Sequence, residues 1–314
     1  MWRIEPLQIV LAIVLDLVLG DPRGWPHVTR LAGKLATWSE RLLSGLVGRT
    51  IFSGALFWLV VCGTMQALYF ASRAACAAIS PWLAWAFDIV VVYQTLAAAD
   101  LQRHVRAVFQ PLRDGDLGAA RARLAMIVGR DTANLDESEI SRATIESLAE
   151  STNDGFVAPL FWGVVAGAPG ALLYRTANTL DSLVGHRDER YEKFGKVPAR
   201  DDDVLSWIPA RLCAAASEAR RSFRNWRSIH REARAHASPN AGWSEAALAF
   251  ALGVRLGGDN FYDGLRVSGP VFHSAGRAAC TGDIPASLRW FWSVVGLCSA
   301  FLLVASITLH CLLS

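Results

Sequence analysis

The chain has 314 residues, 53% of them hydrophobic and 19% charged, and a formal net charge of +3 at pH 7. A mean hydropathy of +0.28 makes it more apolar than an average soluble domain, which points to a membrane protein. So small a basic excess, gathered in a few segments, argues against a nucleic-acid face, and no nucleic-acid partner is expected.

The opening "MWRIEPLQIVLAIVLDLVLGDPRGWPH" has the basic residue and apolar run of a secretory signal. It has no A-x-A cleavage site and carries Asp16 inside the run, so a retained membrane segment is expected over 4–20. Asp16, Asp21, His27 and Arg30 then surround a Gly-Asp-Pro sequence, which a tight exit turn also explains. A spanning helix needs about 20 mostly apolar residues. Segments 51–70 and 81–99 qualify, the second with Asp88 as its one acid. Segment 100–155 is polar and helical, with Asp136 and Glu139 spaced as an acidic capping box. The apolar run 156–174 is interrupted by Gly167-Ala168-Pro169-Gly170, which breaks a helix more often than it continues one.

Segment 175–289 is the most basic. Pro209 opens a helix expected from Ala210 to about Ala237, and Arg220, Arg221, Arg224, Arg227, Arg231 and Arg234 stand there among Phe223 and Trp226, a pattern suited to anionic lipid. Residues 290–313 carry no acid or Lys/Arg and open on aromatics, as a final span does. If 156–174 enters and returns, all three basic segments share the cytoplasmic side, so four spans with both termini outside are expected. The fold class is all-α, a polytopic integral membrane protein read as one domain over 1–314. No strand pattern or internal repeat stands out, and the six cysteines, with no C-x-x-C, read as buried thiols.

Glu146, Glu150 and Asp154 recur every fourth residue, on one helical face beside "FVAPLFW". A solvated face paired with Arg142 explains them; so does a Mg²⁺ site, because hard carboxylate oxygens suit a hard cation carrying substrate phosphates. Arg175, Asn178 and Asp181 share the next face, where polar groups at membrane depth tend to face a cavity or partner. No Walker phosphate loop, G-x-G-x-x-G, G-x-S-x-G or H-E-x-x-H is present.

The stretches "DLVLGDPRGWPHVTRLAG", "SPNAGWSEAALAFALGVRLGGDNFYDG" and the block 128–212, with "IESLAESTNDGFVAPLFW", "YRTANTLDSLVG" and "RDDDVLSWIPAR", resemble the adenosylcobinamide-phosphate synthase family, the CobD/CbiB membrane proteins of cobalamin biosynthesis. Val28 after His27 and Ser244 after Trp243 depart from the family's usual prolines. The resemblance implies an enzyme that joins adenosylcobyric acid to (R)-1-amino-2-propanol phosphate at the expense of ATP, with Mg²⁺. It makes Glu146, Glu150 and Asp154 candidates for metal binding or proton acceptance, and Asn178 and Asp181 the rest of a polar pocket. Asp202 and Arg211 become candidates for orienting substrate or nucleotide, and Arg30 and Arg175 for the amine substrate's phosphate; His27 joins the substrate-binding set. It also implies an inner-membrane protein with its site facing the cytoplasm, with corrinoid, aminopropanol phosphate and membrane lipid as partners. Homo-oligomers and contacts with other cobalamin-pathway enzymes are compatible with it. A transporter or a non-catalytic membrane sensor is the alternative.

Overall fold

A computed structural model describes residues 4–22, 24–186 and 188–313. In chain order the helices are α1 (Pro6–Leu19), α2 (Val28–Val47), α3 (Ile51–Ile79), α4 (Pro81–Tyr93), α5 (Ala98–Arg113), α6 (Leu117–Leu124) and α7 (Glu137–Thr152). A π-turn, Asn153–Val157, leads to α8 (Ala158–Val184), followed by α9 (Lys196–Leu205), α10 (Trp207–Ala219), α11 (Trp226–Ala233), α12 (Ala241–Leu252) and α13 (Asp283–Leu313). Their starts follow local chemistry. Pro6 and Pro81 occupy first-turn positions where a missing N–H costs nothing, Thr50 and Ser53 cap α3 reciprocally, and Asp136 and Glu139 form the expected box on α7.

The protein is an all-α polytopic membrane protein. Four helical runs are long and apolar enough to cross a bilayer: Ile51–Ile79, Pro81–Arg113, Glu137–Val184 and Asp283–Leu312. The set differs from the expected spans twice: the expected 4–20 span is absent, and the run Glu137–Val184, which contains 156–174, takes its place by length and hydropathy. With 14 residues, α1 is about 21 Å long at 1.5 Å per residue, short of a hydrocarbon core of about 30 Å.

The interrupted run is broken where Gly and Pro suggested. Gly167 lies at φ 71, ψ −166, a region essentially reserved for glycine. The two halves of α8 fold back on each other there: a Cβ on Gly170 would stand 2.6 Å from the Trp162 carbonyl oxygen. Arg175 likewise reaches the backbone oxygen of Asp154 at 3.1 Å, although 21 residues of straight helix would separate them by about 30 Å. The chain turns back on itself at Gly167.

The described residues group into two compact units. The first draws on 1–97, 154–206 and 299–314, the second on 98–153 and 207–298. In the first, α3 packs against α2, α4, α8 and α9 around buried Phe57, Val61, Leu180 and Phe194. In the second, α12 packs against α7, α10 and α11.

Three other expectations need correction. The basic helix is split into α10 and α11 by a turn in which Ser222 and Phe223 take positive φ, so the arginines do not line one continuous helix. Short antiparallel pairs occur after α12: β1 (Leu256–Gly257), β2 (Asn260–Tyr262), β3 (Leu265–Val267) and β4 (Val271–Phe272), with β1 on β4 and β2 on β3. Two or three residues are too few to write an alternating pattern. Of the cysteines, Cys62, Cys213 and Cys298 are buried as expected, but Cys280 and Cys311 are exposed.

Candidate functional site

In the first unit the π-turn sets Asp154 opposite the second half of α8. A single widened turn re-aims the side chains around it, and such turns favour functional sites. Tyr174, fully buried, donates to Asp154 Oδ1 at 3.3 Å and lies 3.0 Å from Ser206 Oγ. From the next position Arg175 Nη1 donates to the Asp154 backbone oxygen at 3.1 Å, while its Nε is buried with no hydrogen-bond partner among the described residues. One turn on, Asn178 Nδ2 donates to Asp202 Oδ1 at 3.2 Å. Burial pushes the Asp202 carboxyl well above its usual value, the charges of Asp154 and Asp181 push it further, and the Asn178 amide opposes them. The result is an acid-rich group with one half-buried guanidinium: a place for a cation and an anion together.

The second unit treats its carboxylate differently. Glu146 is buried between Arg130 Nη1 at 2.7 Å and Arg142 Nη1 at 3.1 Å, and accepts the Gly257 N–H at 2.6 Å. The same arginines bind Asn260 Oδ1, and Arg142 also binds the Gly257 and Asp259 carbonyls. Glu146 thus ties the glycine-rich loop after α12 to α7. Glu150 is exposed one turn later. Nearby Glu245 is buried on α12, 3.8 Å from His236 Nε2. Burial, then the charges of Glu146 and Glu150, hold the Glu245 carboxyl well above its ordinary value, while Arg130 and Arg142 work the other way. Burial lowers His236.

The structure therefore brings Asp154, Arg175, Asn178, Asp181 and Asp202 together and assigns Glu146 and Glu150 to the other unit, the boundary falling between Asn153 and Asp154. Among the described residues no group of three or more His, Cys, Asp or Glu is arranged to hold a metal ion. Arg30 pairs with Asp21 at 2.6 Å, and His27 caps α2 by accepting the Thr29 N–H, so both serve the exit turn. Arg211 stacks on Trp207 and Trp243, 4.2 Å and 4.8 Å from their ring centres. It donates to the Trp207 and Pro239 carbonyls and to Asn240 Oδ1, a structural clamp within the second unit.

Sequence reasoning missed Tyr174, Ser206, Arg130 and the Glu245–His236 pair. Tyr174 and Glu245 each interrupt apolar sequence, "ALLYRTAN" and "WSEAALAF", and a lone polar side chain there was the available signal.

A family profile described as CobD/Cbib protein matches residues 9–291. The chain is 40% identical over 312 residues to a cobalamin biosynthesis protein CobD of Citrobacter koseri, covering 96% of this chain and 97% of that one. It is 39% identical over 306 residues to a cobalamin biosynthesis protein CbiB of Salmonella choleraesuis, with 94% and 95% covered. A Klebsiella pneumoniae CobD is 40% identical over 290 residues, with 90% and 91% covered. No solved structure matches the chain. A profile over most of the length and relatives matched nearly end to end leave one conclusion: the chain belongs to the CobD/CbiB family.

Proposed function

We propose that this protein is a biosynthetic enzyme of cobalamin synthesis that joins the propionate carboxylate of adenosylcobyric acid to the amine of (R)-1-amino-2-propanol O-phosphate, using ATP and releasing adenosylcobinamide phosphate. The relatives' names support the pathway. The observation that carries the site assignment is Arg175, a half-buried cation whose buried Nε is unsatisfied beside carboxylates, suited to a substrate phosphate.

A carboxylate is a poor acyl donor. In the proposed sequence it attacks the γ-phosphorus of ATP, ADP leaves, and the amine displaces phosphate from the acyl phosphate with loss of a proton. Arg175 binds the amine substrate's phosphate, Asn178 orients Asp202, and Asp181 or Asp202 takes the proton. Once deprotonated, a carboxylate whose pKa is held above its ordinary value is a better base than an ordinary one. The acids fit Mg²⁺ arriving with the nucleotide, since that ion needs only one or two protein carboxylates when phosphates and water complete its shell. Asp154, with whichever of Asp181 and Asp202 does not take the proton, would hold it, and its charge would offset that of the phosphates. Glu146 holds the Gly257–Asn260 loop within the second unit, and Glu150 remains a candidate on that unit's exposed surface.

Mass spectrometry of the corrinoid after incubating purified protein with adenosylcobyric acid, aminopropanol phosphate and Mg²⁺, with and without ATP, tests the reading. Product that requires ATP supports it. Absence of product from folded protein that binds corrinoid would favour a carrier or sensor.

A further inference from the structure

A groove of about 440 Å³ lies in the first unit, away from Asp154, and the reaction proposed above does not use it. Ile51 and Trp58 of α3 and Lys196, Val197, Arg200 and Asp201 of α9 line it. Its floor is apolar except where the Trp58 indole N–H donates to Asp201 Oδ2 at 2.8 Å. Lys196 and Arg200, one helical turn apart, are both exposed, so two cations face one carboxylate already engaged by the indole.

Position decides what such a groove can take. Ile51 is the first residue of a helix that can cross the bilayer, and Ile51, Phe52 and Leu59 present exposed apolar side chains along its first turns. Tryptophan, lysine and arginine at the start of a span mark the headgroup level, where long basic side chains reach the phosphates and ring faces line the acyl boundary. Basic pockets beside spanning helices recognise anionic headgroups.

We propose that this groove binds an anionic glycerophospholipid, with Lys196 and Arg200 on its phosphate and an acyl chain laid over Ile51 and Trp58. A soluble phosphate would have no use for the apolar floor, and a zwitterionic lipid would bring a second cation to two already present. The other side of α9 carries Asp202, held by Asn178, so the lipid would steady the helix that bears a carboxylate of the proposed site. The lipid site itself does not rest on that reaction.

The test uses the full chain in nanodiscs of phosphatidylcholine with or without phosphatidylglycerol, reading lipid retained per protein by native mass spectrometry and the melting temperature. Wild type should retain phosphatidylglycerol selectively and melt higher in its presence. At about 1 kcal/mol per basic residue near an anionic surface, Lys196→Ala should weaken retention roughly 5-fold and the Lys196→Ala, Arg200→Ala double variant roughly 30-fold. Both positions are exposed, so the single variant should fold even if the double does not. Arg113→Ala with Arg123→Ala, removing equal charge from exposed positions of the second unit, should leave retention unchanged. Equal retention of the two lipids, an unaffected Lys196→Ala variant, an equal loss in the Arg113/Arg123 variant, or displacement by millimolar inorganic phosphate would each overturn the proposal.

Discussion

Glu146, buried in the second unit, and Asp202, half-buried in the first, are carboxylates with opposite surroundings. Glu146 sits between Arg130 and Arg142 and accepts a backbone N–H, so its charge is answered within the unit. Asp202 has one amide donor and the like charges of Asp154 and Asp181, so its charge is answered by nothing comparable. A carboxylate with two guanidinium partners is part of the scaffold; one among other acids holds a proton until a cation replaces it. On the proposed reading, counter-charge, more than residue type, separates structure from ligand binding.

The largest expected effect tests the scaffold half. Glu146→Gln leaves two arginines facing a neutral side chain, and breaking a buried pair on one side costs about 3–5 kcal/mol. The expected result is a marked fall in melting temperature with loosened 253–260 backbone, visible by hydrogen exchange. For the other half, Asp202→Asn should lower ATP-dependent product formation by roughly 10²–10³-fold, the range for losing one electrostatic contact to the transition state, with folding preserved. Arg175→Ala should act mainly on the amine substrate. Losing hydrogen bonds from a charged donor, about 1.5–3 kcal/mol, should raise KM for aminopropanol phosphate more than for the corrinoid. Gly167→Ala forces a Cβ into a glycine-only conformation at about 1–3 kcal/mol, and should reduce stability and activity together by spoiling the return that brings Asp154 to Tyr174 and Arg175.

The smallest effect is a slope with pH. Because the folded Asp202 pKa lies above its ordinary value, the native state keeps a proton that the unfolded chain has lost. Its contribution to stability is therefore fully present below about pH 4 and falls as pH rises through the elevated folded value. Asp202→Asn should flatten that fall in denaturant titrations across the interval. Glu245→Gln should flatten a similar one in the second unit, for the same reason.

Much of this was legible in the sequence, for identifiable reasons. The Gly167-Ala168-Pro169-Gly170 break announced the return in α8, because backbone chemistry acts locally. Helical spacing placed Arg175, Asn178 and Asp181 together, and the family resemblance added Asp202. The same spacing paired Glu146 with Arg142, as the structure does, but could not tell that Asp154 belongs to the other unit. Periodicity reports which residues share a face, and not what arrives from 111 residues away, as Gly257 does at Glu146. The arginine repeat after Pro209 suggested one helix, but the turn at Ser222 and Phe223 ends it without Gly or Pro. Arg211 looked available for substrate because stacking between Trp207 and Trp243 is a tertiary arrangement.

The most direct test sets Asp202→Asn beside Glu146→Gln in one preparation scheme, measuring melting temperature and ATP-dependent corrinoid product for both. The account predicts a split: Asp202→Asn melts at or above wild type and makes little product, whereas Glu146→Gln melts well below it and loses product in step with folded protein. An Asp202→Asn protein of full activity, or a Glu146→Gln protein with wild-type melting and no product, would contradict it.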